Sequence, residues 1–536
     1  MRSVRGWHPA SPAAMLMTYT GRRALATEIS KSLSMPLSTL LFIPRKEGRG
    51  AEERTAGPPR ARARWGTGRR PGGPPSRKEG FGGPPCATDN WRPVRFGLDF
   101  GTSNTSLAVS DGDSVRVLPI DAVAGETMPT VLYVRRDGTP IVGRAAIDAY
   151  LQDNRTRGPL TREVQLLGIR LPSTDPTHKS LEAYILADTS APGRLFQALK
   201  TFLGDPLDTR TNVFGDAKGL EDLIALILVH VRNRAEELTG AAPDAITLGR
   251  PVRFIGGDDA EARATGRLRA AAKLAGFRDV RFVAEPIAAA HAADVGPGTS
   301  LVFDFGGGTL DLCVVRRDAG GLGVLATAGG PIGGDRATEL LIEDAVAPRL
   351  GSRAEWGPKR LRLPRYIVNA LRDWHALSAL NEKPLLDALD DLVRAGAPRR
   401  ELAALRSAIE LQLGYEIFQT TDATKIDLST VPAAILTYHH AEVDVDARVT
   451  RGRFEHLIRP MLDETAALVR GVVGDAGVAA GEITAVVYTG GSSAIPAFRA
   501  LMHELVPNAV ARDTAAFTSV AAGLAMPGVT EAAITG

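Results

Sequence analysis

Two short runs carry residue types that could do chemistry on a phosphate, and they share one form. They are Arg95-Phe96-Gly97-Leu98-Asp99-Phe100-Gly101-Thr102-Ser103-Asn104 and Leu301-Val302-Phe303-Asp304-Phe305-Gly306-Gly307-Gly308-Thr309-Leu310-Asp311. Each reads as a strand, an acid, a glycine turn with hydroxyls, and a second strand. Glycine lets the backbone come close to an anion, its N–H groups point at oxygens, and Thr102, Ser103 and Thr309 add donors. The acids Asp99, Asp304 and Asp311 offer the oxygen ligands that magnesium prefers while it keeps several waters. Alone, either run is also the pattern of an ordinary glycine turn after a strand. Together, two such hairpins can grip a polyphosphate from both sides. Glu285, directly before Pro286, is an acid ending a strand where a helix begins. Lys200, in Leu199-Lys200-Thr201-Phe202-Leu203-Gly204, reads on its own as a solvated or snorkelling residue of an amphipathic helix. Asp422 and Lys425 stand i, i+3 and are also compatible with a surface helix pair.

The elements that must position these residues begin at Val94, where short apolar strands, glycine turns and amphipathic helices replace a different composition. The repeated hairpin predicts an α/β fold of two related lobes facing one cleft. Asp258 to Phe277 reads as a helix capped at Asp258 or Asp259 and stopped at Gly276, and Ala354 to Thr421 as a long helical region packed on the core. Residues 1–93 hold 17 Lys or Arg against 6 Asp or Glu, a net +11, so of the overall +3 residues 94–536 carry −8. The Pro, Gly and Arg-rich part of that extension cannot bury enough apolar surface to order, so it is expected to be disordered. Met1 to Lys46, basic with Glu28 as its only acid, also fits a transit peptide, and the extension fits an anion-binding tail or translated upstream DNA, with the true start expected near Val94. Two cysteines, Cys86 and Cys313, are too few for a disulfide framework, and no run reaches the length of a membrane span. The expectation is a soluble, cytoplasmic protein whose folded body binds neither membrane nor nucleic acid.

The two hairpins resemble the phosphate motifs of the DnaK-type heat-shock chaperones, within the actin-like ATPase superfamily. Further matches follow in the family's order. Val283-Ala284-Glu285-Pro286 resembles the segment whose acid supports magnesium and water, and Pro331-Ile332-Gly333-Gly334-Asp335 the glycine-glycine-acid turn. Asp422-Ala423-Thr424-Lys425-Ile426-Asp427-Leu428-Ser429 is similar to the adenosine-contacting helix. Val487-Tyr488-Thr489-Gly490-Gly491-Ser492 is similar to the second adenosine motif, and Arg451-Gly452-Arg453-Phe454-Glu455 to another conserved stretch of the family. The resemblance implies a two-lobed actin-like ATPase built from duplicated ribonuclease-H-like domains around a nucleotide cleft. Lobe I would span 94–300, with an outer subdomain at about 129–244. Lobe II would span 301–528, with an outer subdomain at about 338–456, and a tail would follow at 529–536.

By the same resemblance, Asp99, Glu285 and Asp304 would hold Mg2+, largely through water. Lys200 would orient the γ-phosphate and the attacking water, with Thr309 beside it, and Asp311 would position water or accept a proton. Gly101, Thr102, Ser103, Asn104, Gly306, Gly307 and Gly308 would cradle the phosphates. Gly333, Gly334, Asp422, Lys425, Ser429, Gly490, Gly491 and Ser492 would complete the ATP/ADP site.

Ile426 and Ala494 stand where the family usually has arginine, which removes two planar cations from the base side. The stretches Gln152 to Arg194 and Arg349 to Tyr415 are long for the family and would enlarge the outer subdomains, where a protein partner or client could bind. The sequence ends soon after Phe517 to Gly523, without a leucine-rich linker or β-sandwich, as in the short DnaK-like proteins of the YegD type. The expected function is a slow, Mg2+-dependent ATPase acting as a chaperone-like conformational switch. A nucleotide-binding scaffold with little hydrolysis, a small-molecule kinase and a filament-forming actin relative are the alternatives.

Overall fold

The computed structural model describes residues 40–44, 94–157, 159–160, 162–172, 180–188, 190–206, 210–251, 254, 259–515 and 518–528. The expected disordered extension, the tail at 529–536 and the alternative cap Asp258 lie outside the described residues. The exception is Leu40–Pro44, a strand paired antiparallel with Ser180–Asp188, Leu40 opposite Ile185.

The repeat seen in the sequence is a repeat of topology. In the first lobe the strands β1 (Arg95–Phe100), β2 (Asn104–Ser110), β3 (Val115–Leu118), β4 (Ala245–Arg250) and β5 (Asp279–Ala284) form a sheet in the order β3-β2-β1-β4-β5. In the second, β6 (Gly298–Phe305), β7 (Leu310–Asp318), β8 (Gly321–Gly330), β9 (Ile483–Thr489) and β10 (Val510–Asp513) run in the order β8-β7-β6-β9-β10. In each, a three-stranded antiparallel meander is extended by two parallel strands beside its first strand. The parallel strands arrive through helical crossovers, as parallel pairing requires.

Eight helices position the site and the outer parts. They are α1 (Arg144–Thr156), α2 (Leu220–Thr239), α3 (Ala260–Leu274), α4 (Glu285–Ala292), α5 (Gly334–Leu341), α6 (Trp374–Ser378), α7 (Gly414–Asp427) and α8 (Ser519–Ala525). Helix α3 buries Ala260, Ala264, Leu268, Ala271 and Ala272, the stripe expected of a one-faced helix, and Gly276 ends it at φ +97°. The expected helical region 354–421 is several short helices, because Pro364, Pro384 and Pro398 each begin a new one.

Between the lobes, α8 presses on β1 and α4. A Cβ at Gly97 would come within 2.4 Å of the Ala525 nitrogen, and one at Gly523 within 2.0 Å of the Ala288 carbonyl. Only glycine allows α8 to lie so close to β1 and α4. The outer parts also meet. The Tyr150 ring of α1 packs edge-on against Trp374 of α6 at 6.1 Å, Arg144 lies over the Tyr415 ring, and Arg155 donates to Glu416 and to the Leu411 carbonyl. Leu160 N–H donates to the Asn381 carbonyl at 2.6 Å. Helix α7 therefore runs from this seam, at Tyr415, to α5, where Lys425 bonds the Gly334 carbonyl.

Candidate functional site

A cavity of about 800 Å³ lies between the lobes, and the two glycine hairpins face each other across it. Each hairpin is closed by the same bond. Gly101 N–H donates to the Asn104 carbonyl at 2.9 Å, and Gly306 N–H to the Thr309 carbonyl at 3.0 Å. A Cβ on Gly101 would stand 2.3 Å from the Asn104 oxygen, so the first turn needs its glycine. The second hairpin is also tied to α5, whose Gly334 and Asp335 N–H groups donate to the carbonyls of Gly306 and Gly307.

Asp99 comes from the end of β1, Asp304 from β6, and Asp311 from β7 directly opposite Asp304. Glu285 begins α4, and its carboxylate accepts from Lys200 Nζ at 2.6 Å with both side chains buried. Lys200 sits on a single 3₁₀ turn, Leu199–Phe202, rather than on an amphipathic helix. Thr309 Oγ1 donates to Asp311 at 3.0 Å.

Four carboxylates thus share one buried lysine. Burial, reinforced by Glu285, pushes Asp99 up to about 7, with Lys200 opposing. Asp304 is driven well above the usual carboxylate range by burial and then by Asp311, Glu285 and Asp99. Burial and Glu285 raise Asp311 to about 6. Burial acts to lower the Lys200 ammonium, but Glu285 and Asp99 outweigh it and hold it above its ordinary value. Buried acids competing for too little positive charge fit a hard divalent cation, and an all-oxygen donor set fits magnesium.

Of the expected site residues, Asp99, Gly101, Thr102, Ser103, Asn104, Lys200, Glu285, Asp304, Gly306, Gly307, Gly308, Thr309, Asp311, Gly490 and Gly491 line the cavity. Gly333, Gly334, Asp422, Lys425, Ser429 and Ser492 lie off its wall. Lys425 is buried and bonded to Asp422, to the Gly334 carbonyl and to Thr338, so the pair is an internal staple between α7 and α5 rather than a surface pair. Ser492 donates to the Gly306 carbonyl. Gly333 is fixed by contact, since a Cβ there would fall 1.9 Å from the Gly307 oxygen. Ile426, where an arginine would have stood, is solvent-exposed.

Sequence reasoning did not single out Glu261, Pro251 or Asp335 as site residues. Glu261 and Pro251 line the cavity, and Glu261 holds the buried Arg250 at 2.7 Å. Gly249-Arg250-Pro251 at the end of β4 parallels Ala284-Glu285-Pro286 at the end of β5, a signal legible in the sequence. Asp335 lies 3.2 Å from where a Gly307 Cβ would be, so it faces the second hairpin. Elsewhere, His439 meets Asp444 and Asp446 on a hairpin, all exposed, but Asp444 is already paired with Arg400.

Two sheets of duplicated topology around a cleft with paired glycine hairpins define an actin-like ATPase fold. The Hsp70 protein family model matches residues 207–351 and 410–533, half of the chain, and the chain belongs to that family. Among curated relatives, a chaperone protein HscA homolog of Bordetella petrii is 27% identical over 417 residues, covering 77% of this chain and 54% of the relative. An HscA homolog of Acidithiobacillus ferrooxidans is 28% identical over 433 residues, 78% of this chain and 55% of the relative. Chaperone protein HscA of Pectobacterium carotovorum subsp. carotovorum is 26% identical over 421 residues, 77% and 54%. The chain spans about half the length of these relatives. Among the described residues no helix is long and apolar enough to cross a membrane.

Proposed function

We propose that the chain binds ATP with magnesium between its lobes and hydrolyses it slowly, as a chaperone-like switch whose lobe movement is read by a protein partner on the outer parts. The observation that carries this reading is the buried Lys200–Glu285 pair among Asp99, Asp304 and Asp311, facing two glycine hairpins. Magnesium, held largely through water by Asp99, Glu285 and Asp304, would neutralise phosphate charge. The backbone N–H groups of Gly101 to Asn104 and Gly306 to Thr309 orient the phosphates. Lys200 directs the γ-phosphate, and Asp311, braced by Thr309, orients the attacking water and takes its proton, while the bond to the ADP oxygen breaks. The nucleoside lies toward Gly490, Gly491, Asp422, Lys425, Ser429 and Ser492. The polar atoms of Asp422, Lys425 and Ser492 already bond within the protein, so contacts there replace hydrogen bonds rather than add them. Affinity then rests mainly on the phosphates.

Magnesium-dependent turnover of wild type and Lys200→Ala, with phosphate release and a screen for phosphorylated acceptors, tests the reading. Slow phosphate release that is lost in the variant is the expected result. Tight ATP binding without turnover in either protein replaces the switch with a scaffold, and a phosphorylated acceptor replaces it with a kinase.

A further inference from the structure

The matched stretches of the Hsp70 family model leave out residues 352–409 of the second lobe. Its first part is a short presented loop. Trp356 and Leu361 exchange backbone hydrogen bonds at 3.0 and 2.9 Å, with Gly357 and Arg360 turning the chain at φ +69° and +50°. Trp356, Leu363 and Ile367 point inward and are buried in the lobe core. From Gly357 to Tyr366 the outward residues are glycine, proline, basic, or large and apolar or aromatic. Lys359, Arg360, Arg362 and Arg365 are exposed, and so are Leu361 and Tyr366, at 51% and 58%. From Trp356 to Arg372 there is no acid in the sequence.

Glu355 lies beneath the loop and accepts from Arg360 and Arg362, which holds their stems while leaving both guanidinium groups largely open to solvent. Exposed ion pairs of this kind are weak, so these cations remain available. Lys359 and Arg365 make no ion pair among the described residues. The patch is basic on a body whose residues 94–536 carry a net −8.

We propose that this loop, Trp356 to Tyr366, is a docking surface for an acidic protein segment that carries apolar side chains. Arginine forks match carboxylates, and arginine beside an exposed tyrosine is a composition concentrated at interfaces. Leu361 and Tyr366 supply the apolar contacts that charge alone does not. A longer polyanion such as nucleic acid would extend past four cations onto a net acidic body, which disfavours it.

The test uses the full chain and a labelled short peptide of Asp and Glu with one Leu and one Phe, followed by fluorescence anisotropy. The expected result is binding that weakens as salt rises, roughly tenfold weaker in Lys359→Glu/Arg365→Glu and several-fold weaker in Leu361→Ser/Tyr366→Ser. Melting temperature and ATP turnover stay at wild-type values, because none of these residues touches the cleft. Equal binding by wild type and the charge-reversed variant would place the contact elsewhere, the basic extension included, and overturn the proposal. So would the absence of binding, and so would equal binding of a peptide lacking Leu and Phe or of an oligonucleotide of the same charge.

Discussion

Lys200 and Glu285 form an ion pair of 2.6 Å that joins a 3₁₀ turn of the first lobe to the first residue of α4. Both side chains are about nine-tenths buried, so each charge is largely withdrawn from water. Removing one partner from such a pair costs about 3–5 kcal/mol, since the other is left buried and uncompensated. Lys200→Ala is therefore expected to lose stability on this scale as well as turnover. Adding Glu285→Gln should restore most of the stability and none of the turnover. Denaturant unfolding of the double-mutant cycle checks this, and additive losses would show that the two residues do not act as a pair.

Asp304 presents the opposite balance. Burial and three neighbouring acids drive its carboxyl well above the usual range, so its ionised form is unfavourable in the folded protein at neutral pH. Asp304→Asn removes that penalty with little change in shape. The variant should melt higher than wild type without nucleotide, while hydrolysis falls roughly 10²–10³-fold, the scale of losing a charge-stabilising group. A lower melting temperature would mean that the carboxylate contributes to the fold itself.

The same carboxyls set a pH dependence. Asp99 at about 7, Asp311 at about 6 and Asp304 above its ordinary value all hold protons in the folded state that the unfolded chain has released. Between roughly pH 4 and 7 the native protein thus binds more protons than the unfolded one, and the contribution of these groups to stability falls as pH rises. On the proposed function, magnesium with nucleotide would require the ionised carboxylates, so its binding would release protons. The thermal stabilisation by magnesium and ADP should grow from about pH 5.5 to about pH 8. Titration calorimetry in two buffers of different ionisation enthalpy should report proton release at pH 6.5, and a buffer-independent heat would contradict it.

The hairpin half of the cavity wall was legible because its residues sit in local patterns. Asp99, Gly101, Asp304 and Gly306 are marked by strand, acid and glycine turn within a few positions, and Glu285 by the proline after it. Lys200 needed a family resemblance, since a lone lysine carries no pattern of its own. The setting of Lys425 was less legible because its bonds run to Gly334 and Thr338, some ninety residues away, and nothing in Asp422 to Ser429 states them. The duplicated sheets were foreseen from the repeated hairpin. The joining of the outer parts was not, because Tyr150 and Trp374 belong to separate elements whose meeting depends on the whole topology.

That seam yields the last prediction. Tyr150 packs on Trp374, Trp374 on Tyr415 at 5.0 Å, and Arg144 lies over Tyr415, so the contact crosses from α1 to α6 and α7. It also contains His375 Nε2 and Asn381 Oδ1, both buried without a hydrogen-bond partner among the described residues. Unpaired buried polar atoms cost about 1–3 kcal/mol each, so the closed seam holds less stability than its aromatic contacts suggest and is a natural place for the lobes to part. Trp374→Ala removes aromatic pairs worth about 0.5–1.5 kcal/mol each. Because α7 connects the seam to Lys425 and the second hairpin, nucleotide release should quicken roughly tenfold, with the rate of the chemical step in single turnover unchanged. Stopped-flow displacement of a fluorescent ADP analogue measures it, and an unchanged release rate would separate the seam from gating of the cleft.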